Sequence, residues 1–141
     1  MRVFRVLSLY TAEIFKFGDG NSSVINQAVF NFEQFPAPIN FLVGAYILVP
    51  KSDPYFNLRF DVFDDKGKPI HDEIQSLTPF NLTEYNSTEN ETVLHIVFQP
   101  KEHILVSEGT YRVNATLLKD EAVQDEMDSY FIASTAWHKM R

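Results

Sequence analysis

The chain of 141 residues contains no cysteine. Disulfide staples, thiolate metal sites and thiol nucleophiles are excluded, so stability must come from packing. No apolar run approaches the ~20 residues that a helix needs to cross a bilayer. Positive charge is scarce: 12 Lys and Arg stand against 19 Asp and Glu, a net charge of −7. Nucleic acid and anionic membranes are both held by Lys and Arg. Neither is expected as a partner. The N-terminal apolar stretch is broken by Arg5 and followed by Glu13 and Lys16, with no small-residue cleavage site. It reads as a first strand rather than a leader, which points to a cytoplasmic protein.

Signatures of catalysis are missing as well. The four histidines, His71, His95, His103 and His138, show no metal-ligand spacing. There is no G-x-S-x-G elbow, so His95 has no nucleophile to serve. Gly18-Asp19-Gly20 lacks the lysine and the following helix of a phosphate loop. The expectation is a non-enzyme without a cofactor. His71, Asp72 and Glu73, close to Asp64 and Asp65, form the one acidic cluster with a histidine. It reads as a solvated hairpin tip, with a divalent-cation site as the alternative. The Asp64–Gly67 turn does not have the ligand spacing of an EF-hand.

What the chain does have is a rhythm of two. In Tyr55–Ile70, Phe56, Leu58, Phe60 and Val62 alternate with Asn57, Arg59 and Asp61. Alternate side chains of a strand point to opposite faces, so an apolar row turns inward and a polar row turns to water. Asp64-Asp65-Lys66-Gly67 then supplies turn chemistry. Similar segments recur at Val3–Tyr10, Val24–Phe32, Ile39–Val49, Ile70–Leu77, Val93–Phe98, Tyr111–Leu117 and Tyr130–Ala133. Phe35-Pro36-Ala37-Pro38 reads as a crossover between sheets. Gly44, inside the apolar run Ile39–Val49, predicts a bulge or a close backbone approach. The polar stretch Thr78–Thr92 reads as a long loop. Lys119–Asp125 turns a hairpin or starts one helical turn. No convincing amphipathic helix, internal repeat or domain boundary is found. One domain over residues 1–141 follows, built as an all-β, antiparallel two-sheet sandwich, with a closed barrel as the runner-up.

Several short motifs occur in order: Met1-Arg2-Val3, Tyr10-Thr11-Ala12, the Gly18–Gly20 turn, Val29-Phe30, Phe35-Pro36, Asp64-Asp65-Lys66-Gly67 and Glu108-Gly109-Thr110-Tyr111. In these the chain resembles a family of uncharacterised bacterial single-domain proteins with an immunoglobulin-like sandwich fold. It departs from that family's pattern at Ser8 and Leu9, where Cys-Asp would stand, at Thr11, and at Ala28, where a glycine would stand. The resemblance implies a fold and no catalytic residues.

Binding surfaces remain. Aromatic residues expected at strand ends and in loops are Tyr55, Phe63, Phe80, Tyr85, Tyr130 and Trp137. Of these Tyr55, Phe80, Tyr85 and Trp137 are the candidate partner contacts, since exposed rings seat protein partners or stack on sugars. Edge strands offer a second route, by self-pairing or by adding a peptide strand. The expected function is a protein-interaction or self-associating module. A carbohydrate-binding module is the alternative, and a small hydrolase built on loop carboxylates is a third. Asn-x-Ser/Thr triplets occur at Asn21, Asn81, Asn86, Asn90 and Asn114, three of them in one polar loop. They are read as composition bias in an Asn- and Thr-rich loop, with glycosylation as the alternative.

Overall fold

The computed structural model describes residues 3–16, 18–70, 81–100 and 103–135. These form eleven strands and no helix: β1 Arg5–Lys16, β2 Ser22–Asn26, β3 Val29–Asn31, β4 Ala37–Pro38, β5 Leu42–Pro50, β6 Asn57–Phe63, β7 Asn81–Ser87, β8 Glu91–Phe98, β9 Ile104–Leu105, β10 Gly109–Lys119 and β11 Ala122–Ser134. One sheet has the order β2-β1-β5-β8-β7, a second the order β3-β11-β10-β6, and β4 pairs with β9 in a short ribbon. The two larger sheets feed one apolar cluster. Val43, Ala45, Ile47 and Ile96 enter it from the first sheet, and Phe60, Val62, Val113, Leu117 and Phe131 from the second.

The period-two reading holds where it was clearest. Phe60 and Val62 are buried, and Phe56 and Leu58 pack against the core. β6 is nonetheless the last strand of its sheet among the described residues, paired along its length with β10 and touched on its other side only by the chain folding back at Pro69 and Ile70. Its polar row is not all in water: Asp61 is 7% exposed. Asp61 stands opposite Asn114 and near Arg59, 3.7 Å away. Asn114 in turn donates to Asp128 (2.8 Å) and accepts from Thr116 (2.7 Å). Asn114, Asp128 and Thr116 thus share hydrogen bonds on this face, and the Arg59 charge lies beside the Asp61 carboxylate within it.

Four expectations need correction. The sheets are not wholly antiparallel, because β3 pairs in parallel with β11. The single strand expected over Val24–Phe32 is two strands in different sheets. The chain changes sheet at Gln27-Ala28, where Gln27 N donates to Thr11 O (2.9 Å) and Ile132 N donates to Ala28 O (2.7 Å). The Thr78–Thr92 loop contains β7 and the start of β8. β7 lies at a sheet edge with residues 83–87 exposed, so no apolar alternation marks it. The last strand begins at Ala122, not Tyr130. Beyond Ile70, the strand expected to Leu77 lies outside the described residues.

Irregularities tie the sheets together. The β1–β5 register shifts between Val6 and Ser8, so Leu7 is an extra residue, 48% exposed. The buried set accordingly moves from Phe4 and Val6 to Leu9. The Val6 N–H at this bulge donates to Asp125 Oδ2 of β11 (2.8 Å), a bond between the sheets. β10 turns into β11 through Asp120 and Glu121, at φ 51° and 67°. Two consecutive positive φ values are what a type I′ hairpin requires, and a side chain pays for them where glycine does not. Glu121→Gly is therefore expected to raise unfolding free energy by about 0.5–1 kcal/mol, after the entropy lost by glycine on folding. Urea denaturation checks this, and an unchanged or lower midpoint would refute it.

Candidate functional site

The outer face of the five-stranded sheet gathers aromatic side chains from four strands. Tyr46 on β5 stands opposite His95 on β8, and their rings stack at 4.4 Å with an interplanar angle of 11°. Tyr10 on β1 stands opposite Gly44 on β5. A Cβ at Gly44 would collide with the Tyr10 ring, so the missing side chain is what lets that ring lie across β5. The Tyr10 hydroxyl thereby reaches His95 Nε2, and the two share a 2.5 Å hydrogen bond. Tyr85 occupies the register shift in β7 and meets Tyr46 edge to face, at 5.0 Å and 74°. Of the bulge or close backbone approach predicted at Gly44, the bulge is absent, since the register does not shift there, and the close approach is made by a side chain. The cluster itself was missed, since its members lie on separate strands and meet only through register. A glycine in an apolar run was the available signal.

Burial makes this cluster electrically quiet. Desolvation, with a smaller contribution from Tyr46, pushes the Tyr10 hydroxyl up to about 12. Desolvation lowers the His95 imidazole below its ordinary 6.5. Both groups are neutral at pH 7. For His95 the folded value is depressed, so its contribution to stability is present above pH 6.5 and fades as the pH falls through the folded value. For Tyr10 the folded value is raised above 10, so its contribution is present below pH 10 and fades as the pH rises toward about 12. Ultraviolet titration at alkaline pH should show one tyrosine ionising late, and Tyr10→Phe should abolish that late step. Loss of the step in Tyr46→Phe instead would refute the assignment.

Two of the four candidate contact residues are described, and they lie at different sheets. Tyr85 is 65% exposed at the rim of this cluster. Tyr55 is 76% exposed beside the other large sheet, just before β6. Lys119 Nζ bonds Asp53 (2.7 Å) and the Tyr55 carbonyl (3.0 Å), which fixes the Tyr55 backbone and leaves its ring outside. Phe80 and Trp137 lie outside the described residues. Phe63 is half-buried beneath the Arg112 guanidinium, 4.2 Å from its ring centre. Tyr130 is 59% exposed on β11.

A cleft of about 470 Å³ opens between the turn after β6 and the Ser107–Tyr111 segment. Its polar groups largely hold their own turns. Asp64 Oδ1 accepts from Lys66 N and Lys68 N, each at 2.9 Å. Those bonds, that of Lys68 foremost, hold its carboxyl below the ordinary 3.8. Glu108 accepts from the backbone and hydroxyl of Thr135. The Tyr111 hydroxyl donates to Ser107 O (2.6 Å). His71, Asp72 and Glu73, the suggested cation site, are outside the described residues. Among the described residues no group of three His, Asp or Glu side chains could hold a metal. Of the Asn-x-Ser/Thr positions, Asn21, Asn86 and Asn90 are exposed, whereas Asn114 is engaged with Asp128 and Thr116.

Neither a protein-family description nor a curated protein matches the chain. What stands is an all-β protein with several sheets and an aromatic cluster on one outer face.

Proposed function

We propose that the chain is a non-catalytic, immunoglobulin-like β-sandwich that works by binding protein, either a partner or a second copy through edge strands. The fold assignment draws on the bond from the Tyr111 hydroxyl back to the backbone of Ser107, four residues upstream near a strand start. Tyrosine corners of immunoglobulin-like domains make such a bond. The shared core of the two large sheets agrees with it, as do the motifs common to the bacterial single-domain family.

One observation carries the binding function: exposed apolar side chains sit on the strands that end the two large sheets among the described residues. Val24 and Ile25 are on β2, Val29 on β3 and Tyr85 on β7. Sheet edges add strands, and exposed rings anchor interfaces. Two observations favour protein over sugar or catalysis. A sugar stacks on a free ring face, but the Tyr46 face is taken by His95 and Tyr85 meets it edge-on. The carboxylates of Asp64 and Glu108 at the cleft are bound to backbone or threonine, and His95 Nε2 is taken up by the Tyr10 hydroxyl. No cofactor is needed. The net charge of −7 disfavours nucleic acid and anionic membranes as partners.

The test compares the wild type with Tyr85→Ala and Val24→Lys in sedimentation velocity, host-lysate capture and glycan arrays. Self-association, or a captured protein lost in either variant, supports the reading. A chain that stays monomeric and captures the same proteins in all three forms would overturn it. Specific glycan binding would move the assignment to the carbohydrate alternative.

A further inference from the structure

The two large sheets have four edges, and three are blunted. β7 carries Glu84 and a register shift at Tyr85. β6 carries Arg59 and Asp61, and the chain after it folds back: Phe63 bridges Pro69, and Ile70 N donates to Val62 O (3.0 Å). β3 has three residues, and Gln27 Nε2 caps its Val29 carbonyl at 2.7 Å. Charges, bulges, short length and covered groups are the devices by which proteins protect sheet edges. β2 has none of them. Ser22–Asn26 carries no charge and no proline, pairs with β1 without a register shift, and has no described strand on its other side. Val24 is 51% and Ile25 45% exposed.

Register shows which backbone groups are free. Gln27 N donates to Thr11 O, so Thr11 and Gln27 form a hydrogen-bonded pair. Alternation then turns the backbone groups of Ser23 and Ile25 toward β1, and those of Ser22, Val24 and Asn26 away from it. We infer that β2 pairs antiparallel with β2 of a second copy about a twofold axis at Val24, joining two five-stranded sheets into one. Val24 exchanges both backbone bonds with its counterpart, and Ser22 does so with Asn26 of the other copy. Charge selects this edge for a like partner. Two copies at −7 each repel, and β2 is the longest of these edges on which they meet without like-charged side chains face to face. The inference rests on the self-association half of the proposed function and deepens it by naming the strand and the register.

Val24→Pro tests it. The Val24 N–H points away from β1, so proline removes a bond between copies and none within the chain. Sedimentation equilibrium on the full chain should show a wild-type dimer that tightens as salt screens the repulsion. In Val24→Pro, with its circular dichroism unchanged, the dissociation constant should rise at least about tenfold. Should proline disturb the fold, Val24→Lys places two like charges on the axis and should give the same rise. Because the chain has no cysteine, Val24→Cys supplies a second readout. Hydrogen-bonded antiparallel partners lie about 5.5 Å apart between Cα atoms, within disulfide range. That variant should crosslink faster than Thr83→Cys on β7. A wild type that dimerises while folded Val24→Pro and Val24→Lys dimerise equally well would overturn the β2 assignment and leave self-association standing. A wild type monomeric at every concentration would overturn the dimer, leaving binding to another protein to be judged by capture.

Discussion

Phe131→Ala should cost about 3–5 kcal/mol of unfolding free energy, a large share of what a domain of this size possesses. The residue is 1% exposed and joins three other rings. Tyr111 stacks on it at 5.3 Å, while Phe41 at 4.9 Å and Phe30 at 6.1 Å meet it edge to face. Those neighbours belong to β10, to the segment before β5 and to β3, so the ring joins parts of the chain distant in sequence. Alanine would leave a cavity that strands bonded on both sides, as β11 is by β10 and β3, cannot collapse to fill. The melting temperature should fall by roughly 10 °C or more. Tyr130→Ala, one residue away on the exposed face, should cost well under 1 kcal/mol and serves as the control. Equal losses in the two variants would mean that the assigned faces of β11 are wrong.

Gly44→Ala should cost about 2–3 kcal/mol for the addition of a single methyl group. The new Cβ would overlap the Tyr10 ring, and β5 cannot retreat because β1 and β8 hold it on either side. Tyr10 must swing away, breaking its bond to His95. The diagnostic is coupling. With Tyr10→Ala also present the obstacle is gone, and Gly44→Ala should become nearly neutral, an interaction energy of about 1–3 kcal/mol in a double-mutant cycle. Additive losses would refute the close approach as the reason for glycine at this position.

Much of the fold was legible because burial on one side of a sheet writes itself into alternate residues. Phe60 and Val62 in β6, and Tyr111, Val113, Ala115 and Leu117 in β10, are read directly from spacing and are buried. The illegible parts share a cause. β7 is polar because an edge strand facing water gains its place from backbone bonds to β8, and backbone bonds leave no mark on side-chain pattern. The change of sheet at Gln27-Ala28 is hidden because Val24–Phe32 can be extended throughout and still cross from one sheet to the other. The site was less legible than the fold. Tyr10, Tyr46, Tyr85 and His95 are spread over four strands, and nothing in the order of residues says that β1 and β8 flank β5. Tyr85 was chosen for its ring and is exposed, but its support by Tyr46 depends on a register that local sequence does not encode.

The extra residue at Leu7 gives β1 an unusual tolerance. In most strands the loss of one position turns every later side chain to the wrong side of the sheet. Here Val6 pairs with Ile47 and Ser8 with Tyr46, so a chain lacking Leu7 would run on in unbroken order with Phe4, Val6 and Leu9 all still facing inward. Such a shortened chain should fold, keep its sheet, and lose only the clasp between Val6 and Asp125. Removing Ala45 from the middle of β5 by the same operation should leave no folded protein. In this molecule the strand next to a sheet edge can shed a residue without exchanging its inside for its outside.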